Sequence, residues 1–271
     1  MSKVRSAFNK ASNNYNNHAF LQKEIATRLD EKLNVISSGS NVILDLGAGT
    51  GLLSDRLSER FPKSKIIALD FAQNSLKNNQ TTSKICANAN HLPLADNSVD
   101  IVISSLMMQW CPDLNQLFSE IHRVLKNNGL ILFSTFGPDT LKELKKSWSV
   151  VDNETHVNTF IDMHDIGDKM LGCGFQSPVM EMEKLTLTYQ TVTDLLRDLK
   201  AIGAQSVGNR SKSLMGKDKF KLMVEMYESF RTDGKLPATY EVIYGHAWKR
   251  ANTLLMGKNI SEFDTIKIDS Q

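Results

Sequence analysis

The chain has 271 residues, 41% of them hydrophobic, and a formal net charge of +2 at pH 7. This length is enough for one elaborated domain, and the nearly balanced charge does not indicate a nucleic-acid-binding coat or a polybasic membrane surface. No apolar run approaches the roughly 18 residues that a membrane span requires. Cys86, Cys111 and Cys173 lie far apart and outside metal-ligand spacing, so we expect reduced thiols in the cytoplasm and no disulfide or metal site.

From residue 41, short runs of β-branched residues alternate with longer amphipathic stretches. This pattern is typical of an α/β fold in which helices cover a mostly parallel sheet. The predicted strands span residues 42–46, 65–69, 83–86, 99–105, 130–135, 179–189 and 239–249. Apolar spacing predicts a helix over residues 114–125, which Asn127, Asn128 and Gly129 are expected to end. The segment 191–235 is helical in pattern and too long for a simple loop, which predicts a cap over the sheet edge.

A glycine-rich segment follows the first predicted strand, with Gly47, Gly49 and Gly51 in the order G-x-G-x-G. Glycines allow the backbone to approach a ligand or to take a positive φ, and the next helix offers unpaired N–H groups. We therefore expect a nucleotide-like ligand here, with an ordinary tight turn as the alternative. Leu52 replaces the third glycine of the dinucleotide-binding pattern G-x-G-x-x-G, which disfavours NAD and FAD.

The second predicted strand leads directly into Asp70, where a carboxylate can hold both ribose hydroxyls. Strand, glycine loop, helix, strand and terminal acid together resemble the class I S-adenosylmethionine-dependent methyltransferases. The resemblance implies S-adenosyl-L-methionine as cofactor, S-adenosyl-L-homocysteine as its product, and no metal. The implied cofactor-binding residues are Asp45, Gly47, Ala48, Gly49, Gly51, Asp70, Phe71, Asn88, Ala89 and Ser104. Asn88 stands where the family commonly has Asp, and an amide can still accept from and donate to adenine.

The segment after the fourth predicted strand indicates which classes of methyl acceptor are disfavoured. Residues 104–112 lack the D/N-P-P-Y/F tetrad that grips an exocyclic amine, which disfavours methylation of nucleobase amino groups. Cys111 precedes Pro112, the opposite order from pyrimidine C5-methyltransferases, and the apolar run before it favours an inert buried thiol over a nucleophile.

Longer segments resemble one subfamily, the malonyl-acyl-carrier-protein O-methyltransferases that begin biotin synthesis. The resemblance extends from Phe8 to Trp248, and its most specific segments are residues 15–22, 134–141, 156–165, 185–189, 199–204 and 236–242. It implies that the chain transfers a methyl group to the free carboxylate of a malonyl thioester on acyl carrier protein.

The resulting picture is a single Rossmann-like domain. We expect a seven-stranded, mostly parallel sheet with an antiparallel last strand pair, helices on both faces and a helical cap. Its parts are an N-terminal helical lid over 1–35, a cofactor-binding core over 41–190, the cap over 191–235, a final strand over 239–250 and a flexible tail over 251–271.

A carboxylate acceptor needs no general base, because its unperturbed pKa of about 4 leaves it ionised at neutral pH. Recognition still requires a cation or hydrogen-bond donors, and Arg210 with Tyr15 is the first choice. The candidate substrate-positioning residues are Tyr15, His18, His156, Asn158, Tyr189 and Arg210, with Lys142 and Lys145 as further cations. His156 and Tyr189 are equally consistent with structural roles in a core.

A basic stretch in the predicted cap could receive the acidic carrier protein, although such a stretch is more often a solvated helix face. The candidate docking residues are Lys200, Lys212, Lys217, Lys219 and Lys221. Two other functions stay open. A small-molecule methyltransferase would act on a quinone precursor or a free organic acid, and a non-catalytic scaffold would bind the cofactor without turnover.

Overall fold

The computed structural model describes residues 2–12, 14–35, 40–204 and 216–250. In these ranges the strands are β1 Val42–Leu46, β2 Lys65–Asp70, β3 Ser83–Cys86, β4 Val99–Ser105, β5 Leu125–Phe136, β6 Phe175–Tyr189 and β7 Leu236–Lys249. The helices are α1 Ser2–Ala11, α2 Tyr15–His18, α3 Phe20–Glu31, α4 Leu52–Arg60, α5 Gln73–Asn78, α6 Leu114–Val124, α7 Lys142–Ser149, α8 Met163–Gly172, α9 Val192–Ala201 and α10 Lys217–Glu228. The predicted tail over 251–271 lies outside the described residues.

The strands form one sheet in the order β3-β2-β1-β4-β5-β7-β6. The strands β1 to β5 are parallel to one another, whereas β7 is antiparallel to both β5 and β6. The predicted Rossmann-like sheet with an antiparallel end is therefore confirmed. The chain places β2 and β3 on one side of β1 and β4 on the other, so the strand order reverses beside β1. Ligands of such sheets bind outside the carboxyl ends of the strands at this switch point.

Helices pack on both faces of the sheet because its strands are apolar on both sides. Ile43 of β1 belongs to a buried cluster that includes side chains of α3, α4, α7, α9 and α10. The next residue, Leu44, belongs to the opposite cluster with side chains of α6 and α8. Each fully buried Leu or Ile stabilises the fold by roughly 1.5–3 kcal/mol, so the two clusters fix both helix layers against the sheet.

The start of β5 differs from the prediction. Helix α6 ends at Val124 and β5 begins at Leu125, five residues before the predicted start at 130, so the expected helix stop at Asn127–Gly129 is wrong. Residues 126–129 form an irregularity within the strand, where Asn128 has a φ of 61°. Lys249 of β7 donates from Nζ to the carbonyl oxygens of His122 and Leu125 at 2.7 and 2.8 Å. This tertiary contact provides hydrogen-bond partners for carbonyl groups at the end of α6, so the helix ends before the turn residues Asn127–Gly129.

Strands β6 and β7 also begin earlier than predicted, at Phe175 and Leu236, because their antiparallel ladder continues to Leu236 and Lys249. Within the described ranges, no helix is both long and apolar enough to cross a lipid bilayer. The cysteines Cys86, Cys111 and Cys173 are free thiols.

Candidate active site

A cleft opens at the carboxyl ends of β1, β2 and β4, at the switch point of the sheet. Most of the predicted cofactor-binding residues line it: Gly47, Gly49, Asp70, Phe71, Asn88 and Ala89. The structure adds residues that the sequence did not single out for this cleft: Val4, Phe8, Thr50, Met107 and Trp110. Tyr15, which the sequence placed with the acceptor, also lines it. The cleft therefore has its floor at the strand ends and its cover in the N-terminal helices.

The glycine loop leaves open space toward this cleft. Gly47, Gly49 and Gly51 have φ values of 80°, 52° and 102°, which side chains rarely adopt. A Cβ on Gly47 would collide with the side chain of Met107, whereas a Cβ on Gly49 would meet only the Gly47 carbonyl oxygen, at 4.0 Å. A ligand can thus approach the backbone closely at Gly49, as a glycine-rich cradle requires.

Asp70 is held between the glycine loop and the cleft. Its Oδ2 accepts from the Gly49 N–H at 2.9 Å, and its Oδ1 accepts from the Ala72 N–H at 2.7 Å. Burial raises the pKa of this carboxyl, while the backbone donors oppose that shift. The end of β2 therefore presents a carboxylate of fixed orientation beside the loop.

Asp45 lies beneath the loop and does not line the cleft. Its Oδ2 accepts from the Ser54 hydroxyl, and its buried Oδ1 has no hydrogen-bond partner. Burial raises the pKa of Asp45 to about 7, and the nearby carboxylates of Asp70 and Asp55 add to the shift. One acceptor atom at the base of the loop is therefore unsatisfied, which is costly unless a donor reaches it.

Three other predicted cofactor residues also lie off the lining. Ala48 donates its N–H to the Leu69 carbonyl oxygen at 3.1 Å and supports the loop from behind. Gly51 begins α4 and faces the side chain of Asn79. The Ser104 hydroxyl is buried and donates to the Leu46 carbonyl oxygen at 2.8 Å. Its neighbour Ser105 lines the cleft instead, because successive side chains of a strand point to opposite faces.

The N-terminal segment, residues 2–18, is attached to the glycine loop and to α5. Thr50 Oγ1 donates to Asn16 Oδ1 at 2.6 Å, and the Asn74 N–H donates to Asn9 Oδ1 at 2.9 Å. The ring of Phe8 packs edge-on against Trp110, with 5.4 Å between the ring centroids. These contacts hold the segment over the cleft.

A second cavity of about 470 Å³ adjoins the cleft. This volume lies in the range of about 300–1,000 Å³ that is typical of small-molecule sites. Four residues line both spaces: Phe8, Tyr15, Leu106 and Trp110. The other walls of the cavity, which we call the acceptor cavity, are mainly apolar and aromatic: Phe136, Leu144, Trp148, Phe160, Leu196, Phe220 and Tyr240. Because these four residues border both spaces, a molecule in the acceptor cavity would lie next to a molecule in the cleft.

The predicted substrate-positioning residues do not all reach this cavity. Tyr15, His156 and Asn158 line it. His18 is not among its lining residues and lies 3.5 Å from the Asp198 carboxylate, which joins α2 to α9. Tyr189 is half-buried against the core, which is consistent with the structural role given above as its alternative. Arg210 lies outside the described residues.

His156 is fixed on the cavity wall by two contacts. Its ring stacks on Trp148 at a centroid distance of 3.8 Å, and its Nε2 lies 2.7 Å from Asp152 Oδ1. Lys219 of α10 donates to Asp152 Oδ2 at 2.8 Å, and this ion pair holds the pKa of Asp152 well below its usual value. Asp152, Glu154 and His156 offer ligand atoms within 4.8 Å of one another, and the ammonium group of Lys219 already pairs with one of the two carboxylates, that of Asp152.

The predicted docking lysines differ in their surroundings. Lys200 lines the acceptor cavity, and Lys217 is exposed at the start of α10. Lys219 pairs with Asp152, and Lys221 lies 3.7 Å from Glu225. Lys212 lies outside the described residues. The two further cations are also not on the lining: Lys142 is exposed, and Lys145 donates to the Pro138 carbonyl oxygen at 2.7 Å.

Comparison with known proteins identifies the family. Residues 44–133 match a family model described as a methyltransferase domain. A malonyl-[acyl-carrier protein] O-methyltransferase of Gallionella capsiferriformans is 47% identical, with 92% of this chain and 90% of that protein covered. The chain belongs to the malonyl-[acyl-carrier protein] O-methyltransferase family. A second member, from Nitrosospira multiformis, is 44% identical, with 92% of this chain and 89% of that protein covered.

The fold is also found in solved structures of distant sequence. The YcgJ protein of Bacillus subtilis aligns with a TM-score of 0.60 at 14% identity, over 84% of this chain and 99% of that one. In the present chain, burial raises the pKa of the Cys111 thiol to about 12. Cys111 is therefore a neutral thiol at physiological pH, in agreement with the expectation that it is not a nucleophile.

Proposed function

We propose that this chain transfers a methyl group from S-adenosyl-L-methionine to the free carboxylate of a malonyl thioester carried on acyl carrier protein. The observation that carries the proposal is the pair of adjoining spaces, a glycine-cradled cleft and an apolar cavity, which share the lining residues Phe8, Tyr15, Leu106 and Trp110. The named relatives supply the acceptor class. The product would be the malonyl methyl ester that enters biotin synthesis, in the cytoplasm.

The residues of the cleft fit such a cofactor. Asp70 can accept from the ribose hydroxyls, Phe71 can pack against adenine, and Asn88 can pair with the adenine edge. The open side of Gly49 suits the amino-acid portion, and its ammonium group would supply a donor to the unsatisfied Oδ1 of Asp45 if the loop shifts to expose that buried atom. When bound, S-adenosyl-L-methionine supplies an electrophilic methyl group on a positively charged sulfur.

The acceptor cavity would contribute mainly position and exclusion of water. A carboxylate is already ionised near neutral pH, so no side chain has to remove a proton. The aromatic and aliphatic walls keep water away from the carboxylate and the positively charged sulfur. Because both charges disappear in the reaction, a dry site stabilises the reactants less than water does and so lowers the barrier. The remaining requirement is alignment at a contact of about 3–3.5 Å, which rigid walls provide.

Tyr15 is the donor that we assign to the malonyl carboxylate. It lines both the cleft and the acceptor cavity. Burial, and then the negative charge of Asp70, hold the pKa of Tyr15 far above its usual value. The hydroxyl group therefore stays protonated and can donate a hydrogen bond to an anion at the junction of the two spaces. A neutral donor orients the carboxylate without the strong ground-state stabilisation that a buried cation would give.

The decisive experiment incubates the purified full chain with S-adenosyl-L-methionine and malonyl carrier protein. We expect the carrier to gain the mass of one methyl group, and alkaline hydrolysis should remove it as expected for an ester. Unacylated carrier protein serves as the control substrate. Methylation of a free acid but not of the carrier would instead support the small-molecule alternative. Cofactor binding without methyl transfer to either acceptor would support the scaffold alternative.

A further inference from the structure

Helix α9 forms a wall of the acceptor cavity and has two kinds of side chain there. Leu196 and Leu199 line the apolar interior. Arg197 and Lys200 line the same cavity, yet the Arg197 side chain is 65% exposed and Lys200 is also exposed, so both mark its rim. The two cations are three residues apart on a helix, which places them side by side on one face.

These two residues determine the charge of the cavity. Among the described residues that line it, Arg197 and Lys200 are the only ones with a permanently charged side chain, and none of these lining residues is acidic. Arg197 donates to Asp194 on the same helix at 2.8 Å, and Asp194 does not line the cavity. This pair keeps the guanidinium group near the rim and leaves its other N–H groups for a second anion.

The cavity is larger than a malonyl group requires. A volume of about 470 Å³ suits a drug-sized ligand, whereas malonate is a three-carbon diacid. One side of the cavity meets the cofactor cleft at Tyr15 and Trp110, whereas the side formed by α9 contributes no residue to the lining of that cleft. A ligand that spans these two sides would have its reacting group beside the cleft, an extended apolar middle and an anion beside α9.

The anion beside α9 is better matched by a phosphodiester than by the malonyl carboxylate. The carboxylate has to lie next to the cofactor cleft, while Arg197 is largely in water at the rim. Arginine binds phosphate oxygens through two parallel N–H groups, and lysine adds a point charge. The prosthetic arm of a carrier protein has this order of groups: an acyl thioester at one end, a flexible amide chain, and a phosphodiester at the other end.

We propose that Arg197 and Lys200 form a phosphate-binding subsite that holds the phosphodiester of the carrier's 4′-phosphopantetheine arm. This inference rests on the proposed function, since it assumes a carrier-borne acceptor. It assigns to Lys200 a contact with the prosthetic group rather than with the protein surface of the carrier. The subsite would fix how far the arm enters, and so bring the terminal carboxylate to the cleft.

The test measures equilibrium binding to the full chain saturated with S-adenosyl-L-homocysteine. The two ligands are malonyl-4′-phosphopantetheine and malonyl-pantetheine, which differ in the phosphate group alone. We expect the unaltered protein to bind the phosphorylated ligand about tenfold more tightly. The double variant Arg197→Gln, Lys200→Gln should lose this preference and retain the affinity for malonyl-pantetheine.

A matched control is Lys63→Gln, because Lys63 is exposed in the turn before β2 and lines neither the cleft nor the acceptor cavity. This variant should keep the preference for phosphate. An unchanged affinity for S-adenosyl-L-homocysteine in each variant shows that the fold is intact. The inference is overturned if the unaltered protein does not distinguish the ligands, or if the double variant loses both equally, which would place the carboxylate at the rim. Failure of the proposed function is separate, since it appears as absence of methyl transfer to malonyl carrier protein.

Discussion

Asp45 is the residue whose environment conflicts most with its usual chemistry. It is buried, its pKa is raised to about 7, and its Oδ1 has no partner. If the ammonium group of the cofactor binds there, Asp45 must be ionised in the complex. Cofactor binding should then release a proton below pH 7, and the affinity should fall as the pH is lowered from about 8 to about 6. Calorimetry in buffers of different ionisation enthalpy measures this proton release.

The raised pKa of Asp45 also determines how the free energy of unfolding of the cofactor-free protein changes with pH. The pKa of an unfolded aspartate is about 3.9, so between that value and about 7 the folded state binds more protons than the unfolded state. The contribution of Asp45 to the free energy of unfolding therefore decreases as the pH rises through this window. Asp45→Asn removes the titration, so it should raise the melting temperature at pH 8 more than at pH 5 and make cofactor affinity independent of pH. A pH-independent affinity of the unaltered protein would contradict this assignment.

In the proposed function, Tyr15 orients the acceptor. Replacing Tyr15 with Phe keeps the ring and removes the hydroxyl group that we propose as the donor to the carboxylate. A hydrogen bond to a charged group contributes about 1.5–3 kcal/mol, so kcat/KM for malonyl carrier protein should fall by roughly 10- to 100-fold. Calorimetric affinity for S-adenosyl-L-homocysteine should change far less. Equal kinetics in the two proteins would remove Tyr15 from the site.

At the scale of elements, the N-terminal segment covers the cofactor cleft. The cleft measures about 100 Å³ while Val4, Phe8 and Tyr15 cover it. This is below the roughly 300 Å³ at which small-molecule sites usually begin, so we expect α1 and α2 to move outward when an adenosyl ligand enters. We propose that they act as a lid, attached by short polar contacts such as that of Asn16 with Thr50.

Hydrogen exchange can test this lid. Addition of S-adenosyl-L-homocysteine should slow amide exchange in residues 2–18, because the bound ligand fills the space beneath the segment and adds contacts to it. Exchange in α8, on the opposite face of the sheet, serves as the internal control and should not change. Asn16→Ala should increase exchange of the segment in the free protein. Identical exchange of the segment with and without ligand would show that it is not a lid.

At the scale of the whole molecule, the first four strands agree with the sequence prediction to within one residue. The strands β1, β2 and β4 are largely apolar runs, so local chemistry is sufficient to locate them. The start of β5 could not be found in this way, because Lys249, more than a hundred residues later in the chain, satisfies the end of α6. The tertiary contact overrides the turn signal of Asn127, Asn128 and Gly129.

Some residues of the candidate site could likewise be found from the sequence, and others only from the structure. The glycine loop and Asp70 are contiguous signals at the ends of neighbouring strands, so the sequence was enough to propose them. Two of the residues that border both spaces are Phe8 from the N-terminal segment and Trp110 from the turn after β4. Their rings pack together, although no spacing rule in the sequence connects them. Lys219 was considered as a docking residue, but its partner Asp152 lies 67 residues away in sequence. Electrostatic pairing of this kind depends on distance in space and is invisible to charge counting along the chain.

By itself, the sequence determined the sheet, the cofactor loop and the family, because these depend on local periodicity and on contiguous segments. Only the tertiary structure decided which side chains reach the two spaces. It separated Ser105 from Ser104, placed Tyr15 at their junction, and brought Arg197 with Lys200 to the rim of the acceptor cavity. The physical reason is that a binding site is formed by side chains that converge from distant segments. Their direction follows from packing, which the linear order of residues does not contain.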